Sequence, residues 1–194
     1  MEEIRAFIAI ELPDHIESAL AELQNTLKKR EAAAVKWVAP GSIHLTLKFL
    51  GNIRDDTVTS ISDAISGATQ GTAAFQLELT KTGVFPNPRA PRVVWVGLGG
   101  ETDTLAALQQ DIERALLPLG FPPEARGFSP HLTLGRVRDT ASPADGRRLG
   151  ELVTSLTVGS VVPFKAHSVS LMRSTLRREG AIYSRLASFE LRGS

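Results

Sequence analysis

His44-Leu45-Thr46-Leu47 recurs 87 positions later as His131-Leu132-Thr133-Leu134, and these two copies hold two of the four histidines in a chain of 194 residues. Successive side chains of a β-strand point to opposite faces. Each copy therefore buries its leucines and sends His and Thr together to the other face, about 7 Å apart. A lone His-x-Thr between leucines reads as an ordinary half-buried strand. Two copies in the same apolar register read as a site: placed face to face, they offer two imidazoles and two hydroxyls to one small anion, a set suited to acid and base catalysis at a phosphate.

Around the copies, strand-like and helix-like stretches are mixed. Ile4 to Ile10 reads as a buried strand, and Pro13-Asp14 opens an amphipathic helix to about Arg30, with Pro where its missing N–H costs nothing. Strands follow at Val35 to Val38 and Ile43 to Leu50, the latter ended by Gly51-Asn52. Asp55 to Ala68, Asp103 to Leu117 and Pro143 to Leu156 read as helices. Phe75 to Val84 and Arg92 to Leu98 read as strands joined by the turn-rich run Phe85 to Pro91. The second motif strand spans Pro130 to Val137. Phe164 to Met172 and Ala181 to Leu191 close the chain, linked by a polar, basic loop from Arg173 to Gly180. Hairpin-length links predict antiparallel pairing and an α+β fold. Because the motifs lie nearly half a chain apart, the expected architecture is one bilobal, pseudo-two-fold domain over residues 1–194. Its two antiparallel sheets face each other across a central cleft, with helices packed outside.

Composition narrows the chemistry. A 42% hydrophobic chain of this length builds a sizeable core, and zero cysteines exclude disulfides, thiolate catalysis and thiolate metal sites. The opening Met1-Glu2-Glu3 lacks a basic secretory n-region, and no apolar run approaches the ~20 residues of a membrane span. A soluble, cytoplasmic monomer is expected. Net charge is +1, which gives no whole-molecule argument for avid nucleic-acid binding; from Lys165 onward, however, six basic residues face two acidic ones. The loop holding Arg173, Arg177 and Arg178 is thus a candidate phosphate-facing rim, set against a plain solvated surface.

A cation beside the phosphate is expected as well. Strand parity puts Lys48 on the face of His44 and Thr46, whereas Arg136 falls opposite His131 and Thr133 unless Gly135 marks a bulge that re-aims it. His15 reads as a solvent-facing residue of the first helix, and His167, in register with Val169 and Leu171, as a partly buried structural histidine. Trp95, within the apolar run Val93 to Val96, reads as core. Trp37 and Phe85 are candidates for stacking on a base, with packing the simpler role.

The strings HLTLKFLG (His44 to Gly51) and HLTLGRV (His131 to Val137) resemble the paired signature motifs of the 2H phosphoesterase superfamily. Arg5 to Ala9, Trp37, Gly83-Val84-Phe85-Pro86 with Val93 to Val96, and Gly180 to Tyr183 resemble its RNA 2′,3′-cyclic phosphodiesterase branch, also called 2′-5′ RNA ligases. The resemblance covers nearly the whole chain. It implies a bilobal fold, no metal or other cofactor, and hydrolysis of 2′,3′-cyclic phosphates on RNA 3′ ends or small cyclic nucleotides. It also implies His44 as general acid to the leaving 3′ oxygen, His131 as general base for water, and Arg136 as a phosphate contact.

The chemistry stands without the resemblance. Opening a cyclic phosphodiester needs water activated on one side of phosphorus and a proton delivered on the other, which two histidines on opposite walls provide near neutral pH. Thr46 and Thr133 would hydrogen-bond the non-bridging oxygens. Each His-x-Thr copy offers only one strong metal ligand, and no carboxylate joins it on that face. The residues alone do not say which imidazole is acid and which is base. Two other functions fit the same cleft: ligation of a cyclic-phosphate end to a 5′-hydroxyl, and RNA-end binding without turnover. Two intact proton-transfer groups speak against the second.

Overall fold

The computed structural model describes residues 3–31, 34–125, 127–177 and 180–193, with backbone alone for residues 31 and 157–161. Its elements are β1 (Glu3–Glu11), α1 (Asp14–Glu31), β2 (Val35–Trp37), β3 (His44–Arg54), α2 (Val58–Thr69), β4 (Phe75–Phe85), β5 (Val93–Gly100), α3 (Thr102–Leu116), β6 (His131–Val137), α4 (Pro143–Ser155), β7 (Thr157–Ala166), β8 (Ser168–Arg177) and β9 (Gly180–Glu190). The strands form two antiparallel sheets in the orders β3-β1-β8-β9 and β2-β6-β5-β4-β7, as the α+β reading expects.

The halves are related by their connections and also exchange strands. β1-α1-β3-α2 is followed by β4, which joins β5 in the second sheet; β5-α3-β6-α4 is followed by β7 and then β8, which returns to pair with β1. Motif strands β3 and β6 occupy matching places beside β1 and β5, and approach each other between the sheets.

The core explains this arrangement. Ile8, Ile10 and Leu45 from one sheet and Val94, Val96 and Leu132 from the other join one buried cluster with Ile16, Leu20, Ile61, Ile65, Leu108 and Ile112 from the helices. Burying each such side chain contributes about 1.5–3 kcal/mol, so the aliphatic stripes hold the helices against one face of each sheet and leave the other to the motifs. α4 starts where the sequence dictates: Ser142 caps Asp145 N–H, Asp145 returns the bond to Ser142 N–H, and Pro143 fills the first turn. Among the described residues no helix is long and apolar enough to cross a membrane.

Several sequence expectations are corrected. β3 does not end at Gly51-Asn52 but continues to Arg54. The run Phe164 to Met172 is two strands, because the chain turns at His167 to change sheets; that turn leaves His167 exposed rather than partly buried. Arg173 to Arg177 is not a loop: it is the end of β8, paired with β9 down to Arg177 opposite Gly180. Arg178 lies outside the described residues.

Candidate active site

The register around both motifs departs from simple alternation at the same residue. Ala9 pairs with Thr46 and Ile8 with Lys48, leaving Leu47 as an extra residue in β3; Trp95 pairs with Thr133 and Val94 with Gly135, leaving Leu134 extra in β6. A bulge of this kind reverses the facing of the residues that follow it, in β3 as far as Phe49, after which Leu50 is a second extra residue. Lys48 therefore turns into the core, against the expectation that it shares the face of His44. It is 2% exposed, and its Nζ donates to Glu113 Oε2 at 2.5 Å and to the Pro122 carbonyl at 2.8 Å. Phe49 takes the motif face instead. In β6 the same inversion buries Gly135 and exposes Arg136 on the face of His131 and Thr133, so the extra residue is Leu134 rather than the anticipated Gly135. Glycine is needed at 135 because a Cβ there would lie 2.5 Å from Val35 Cγ1.

Each histidine is held through Nδ1 by the carbonyl two residues before it. His44 Nδ1 lies 3.0 Å from Ser42 O, and His131 Nδ1 lies 2.7 Å from Ser129 O. A carbonyl only accepts, so each Nδ1 carries the proton and donates it, and each Nε2 is left as the working nitrogen. The Ser-x-His-x-Thr spacing common to both copies is the sequence signal of this anchoring that was missed. Among the described residues neither the Thr46 nor the Thr133 hydroxyl has a hydrogen-bond partner, and Arg136 has no acidic partner.

Aromatic rings set the imidazole planes. Phe7 stacks on His44 with centroids 4.5 Å apart, and Tyr183 meets it edge-on at 4.9 Å. Phe85 meets His131 edge-on at 5.0 Å and packs on Trp95. Trp95 thus leaves the core position expected from its apolar run: it pairs with Thr133 on the motif face, while Val94 and Val96 face inward. Its indole lies over Gly83, where a Cβ would sit 2.2 Å from Cζ2. Trp37 does pack on the core, and Phe85 does not. His15 is exposed, as expected, with Nε2 3.0 Å from Pro163 O.

Beside His44 is a recess of about 230 Å³ lined by Glu11, Glu17, Gly41, Met172, Tyr183 and Arg185. Arg185 donates to Glu11 through Nε at 2.8 Å and through a terminal nitrogen at 2.6 Å. The guanidinium, above all, holds the Glu11 carboxyl below the usual carboxylate range. Burial pushes the His44 imidazole below its ordinary value; its hydrogen bond to Ser42 and the charge on Glu11 oppose that push. Neither Glu11 nor Arg185 stands out in the sequence, since they lie 174 positions apart.

A model of LigT-like phosphoesterases matches the chain twice, over residues 10–95 and 96–183, one copy for each motif. The chain belongs to the LigT-like phosphoesterase family. The RNA 2′,3′-cyclic phosphodiesterase of Methanothermobacter thermautotrophicus is 35% identical over 189 residues, covering 97% of this chain and 100% of that protein. The enzyme of the same name from Aeropyrum pernix is 35% identical over 168 residues, covering 86% and 92%. Among solved structures, the Thermus thermophilus protein TT0787 superposes with a TM-score of 0.79 at 28% identity, and Escherichia coli LigT complexed with NADP+ with 0.78 at 26%; both alignments cover 98% of this chain and 99% of the other. This phosphoesterase therefore shares its fold with both solved structures over nearly all of its length.

Proposed function

We propose that this phosphoesterase hydrolyses RNA 2′,3′-cyclic phosphate ends to 2′-phosphate ends without a metal ion, as a cytoplasmic monomer acting in RNA processing. The observation that carries the reading is the twofold Ser-x-His-x-Thr arrangement, with both Nδ1 atoms tied to carbonyls and both Nε2 atoms left for proton transfer. The two relatives named above bear the name of this activity.

In the proposed reaction His131 Nε2 takes a proton from water as its oxygen bonds to phosphorus. The bond from phosphorus to the 3′ oxygen breaks, and His44 Nε2–H protonates that oxygen. The products are a 2′-phosphomonoester and a 3′-hydroxyl, with a proton moved from one histidine to the other. Thr46 and Thr133 donate to the non-bridging oxygens, and Arg136 offsets their charge; fixed donors of this kind stabilise a transition state without reorganising.

The test is incubation with a cyclic-phosphate-ended oligonucleotide, with and without a 5′-hydroxyl partner strand, in excess chelator. The expected product is a 2′-phosphate end in both cases, because water at ~55 M outcompetes a hydroxyl end that no site holds in place. A joined 2′-5′ product would establish the ligase instead, and activity lost in chelator and restored by one divalent ion would overturn the metal-free mechanism.

A further inference from the structure

The motif strands are alike, but what faces the two histidines across the sheet is not. In the β1–β3 pair the residue opposite His44 is Glu11; in the β5–β6 pair the residue opposite His131 is Gly97, which has no side chain. Glu11 is fixed in place by the two-pronged ion pair with Arg185 from β9. A carboxylate facing an imidazole favours the imidazolium, and only one of the two histidines has it.

We propose that the Glu11–Arg185 pair is a positioning device that biases His44 toward the proton-donor role, breaking the equivalence that the duplicated motifs would otherwise give the two histidines. The proposal rests on the cyclic phosphodiesterase reading and assigns a cause to its division of labour. Buried against Phe7 and Tyr183, His44 would otherwise lose its proton readily, which suits a base and not an acid. Glu11 works against that loss without reversing it, since burial remains the larger effect. Arg185 holds both Glu11 oxygens, so the carboxylate opposes the effect of burial on the imidazole by its charge. Among the described residues that line the recess beside the ring, the charged and titratable groups are Glu11 on β1, Glu17 on α1, and Tyr183 and Arg185 on β9; Met172 on β8 and Gly41 also line it.

The two partners predict opposite effects, which separates an electrostatic role from a structural one. Glu11→Gln removes the carboxylate and leaves Arg185 unopposed; Arg185→Gln leaves the carboxylate unopposed. Each variant breaks the same ion pair. The imidazole signals of His44 are titrated by NMR in the parent and in both variants. The expected result is a fall of about 0.5 to 1 pH unit in Glu11→Gln and a rise of similar size in Arg185→Gln, since an opposite charge at short range favours the charged form. Shifts of the same sign, or none, would overturn the proposal.

A second readout addresses the reaction. Sulfur in place of the leaving 3′ oxygen departs as a thiolate and needs little help from an acid. Glu11→Gln should lower kcat/KM for the oxygen substrate up to about tenfold, the change in imidazolium fraction for one pH unit, and leave the sulfur substrate near the parent rate. Equal losses on both substrates would make His44 something other than the acid. If the parent enzyme left the cyclic phosphate intact, the proposed function would fail while the NMR titration still decided whether Glu11 and Arg185 set the charge on His44.

Discussion

Up to the fourth residue of each motif, β3 and β6 are the same object: one leucine bulges, one carbonyl holds Nδ1, and His and Thr share a face. Beyond the bulge they part. β3 presents Phe49, 58% exposed, where β6 presents Arg136, and β3 buries Lys48 where β6 buries Gly135. Backbone devices are thus duplicated and charges are not. Acid–base chemistry needs the same geometry twice, whereas a cyclic phosphate has one negative group and one leaving oxygen, so the charge around it has to be one-sided.

Removing what the strands share should cost most. His44→Ala and His131→Ala are each expected to lower turnover by about 10² to 10⁴ while the thermal unfolding transition stays near the parent's. A correctly folded variant retaining near-parent rates would strip that histidine of its role and with it the equivalence of the strands.

What differs inside the core comes next, and it reads out in stability. Lys48→Ala leaves Glu113 buried without its cation and should destabilise the fold by about 3–5 kcal/mol, measured by denaturant unfolding. The double variant Lys48→Met, Glu113→Leu is expected to recover most of that loss, because no unpaired charge remains. Failure to recover would mean that the Pro122 carbonyl, also held by Lys48, matters more than the ion pair.

What differs on the surface is smaller still. Arg136→Ala should reduce kcat/KM for a cyclic mononucleotide by about ten- to a hundredfold, the range for a lost hydrogen bond to a charged group. Arg177→Ala should leave it unchanged at low and high salt alike. Arg177 alternates with Leu171 along β8, on the face opposite Met172 and His44. A salt-dependent loss in Arg177→Ala on long RNA would restore the basic rim that strand pairing argues against.

The antiparallel α+β class, the two motif strands and the histidine and threonine pairs were legible because they rest on a two-residue period and a repeat, both written in the sequence. The facing of Lys48 and Arg136 was not. A single extra residue inverts parity without altering composition, and the run His44 to Phe49 alternates in sequence straight through the bulge at Leu47. Trp95 misled for a related reason: an apolar run reads as core on both faces, and only the room over Gly83 reveals that one face holds the site. His167 looked buried because the turn that exposes it falls inside a run of strand formers. Glu11 and Arg185 meet only through the pairing of distant strands, which no local pattern encodes.

The exchange of strands between the halves has a consequence for how the chain folds. Ile8 pairs with Leu171, so the sheet carrying His44 stays open on one side of β1 until β8 and β9 have left the ribosome. β4 meanwhile belongs to a sheet whose other members, short β2 apart, follow it in the chain. Pairings this distant close slowly, and they leave neither half able to mature first. Nascent chains would display unpaired strand edges for most of their synthesis, and a working pair of histidines would come into being in one late step.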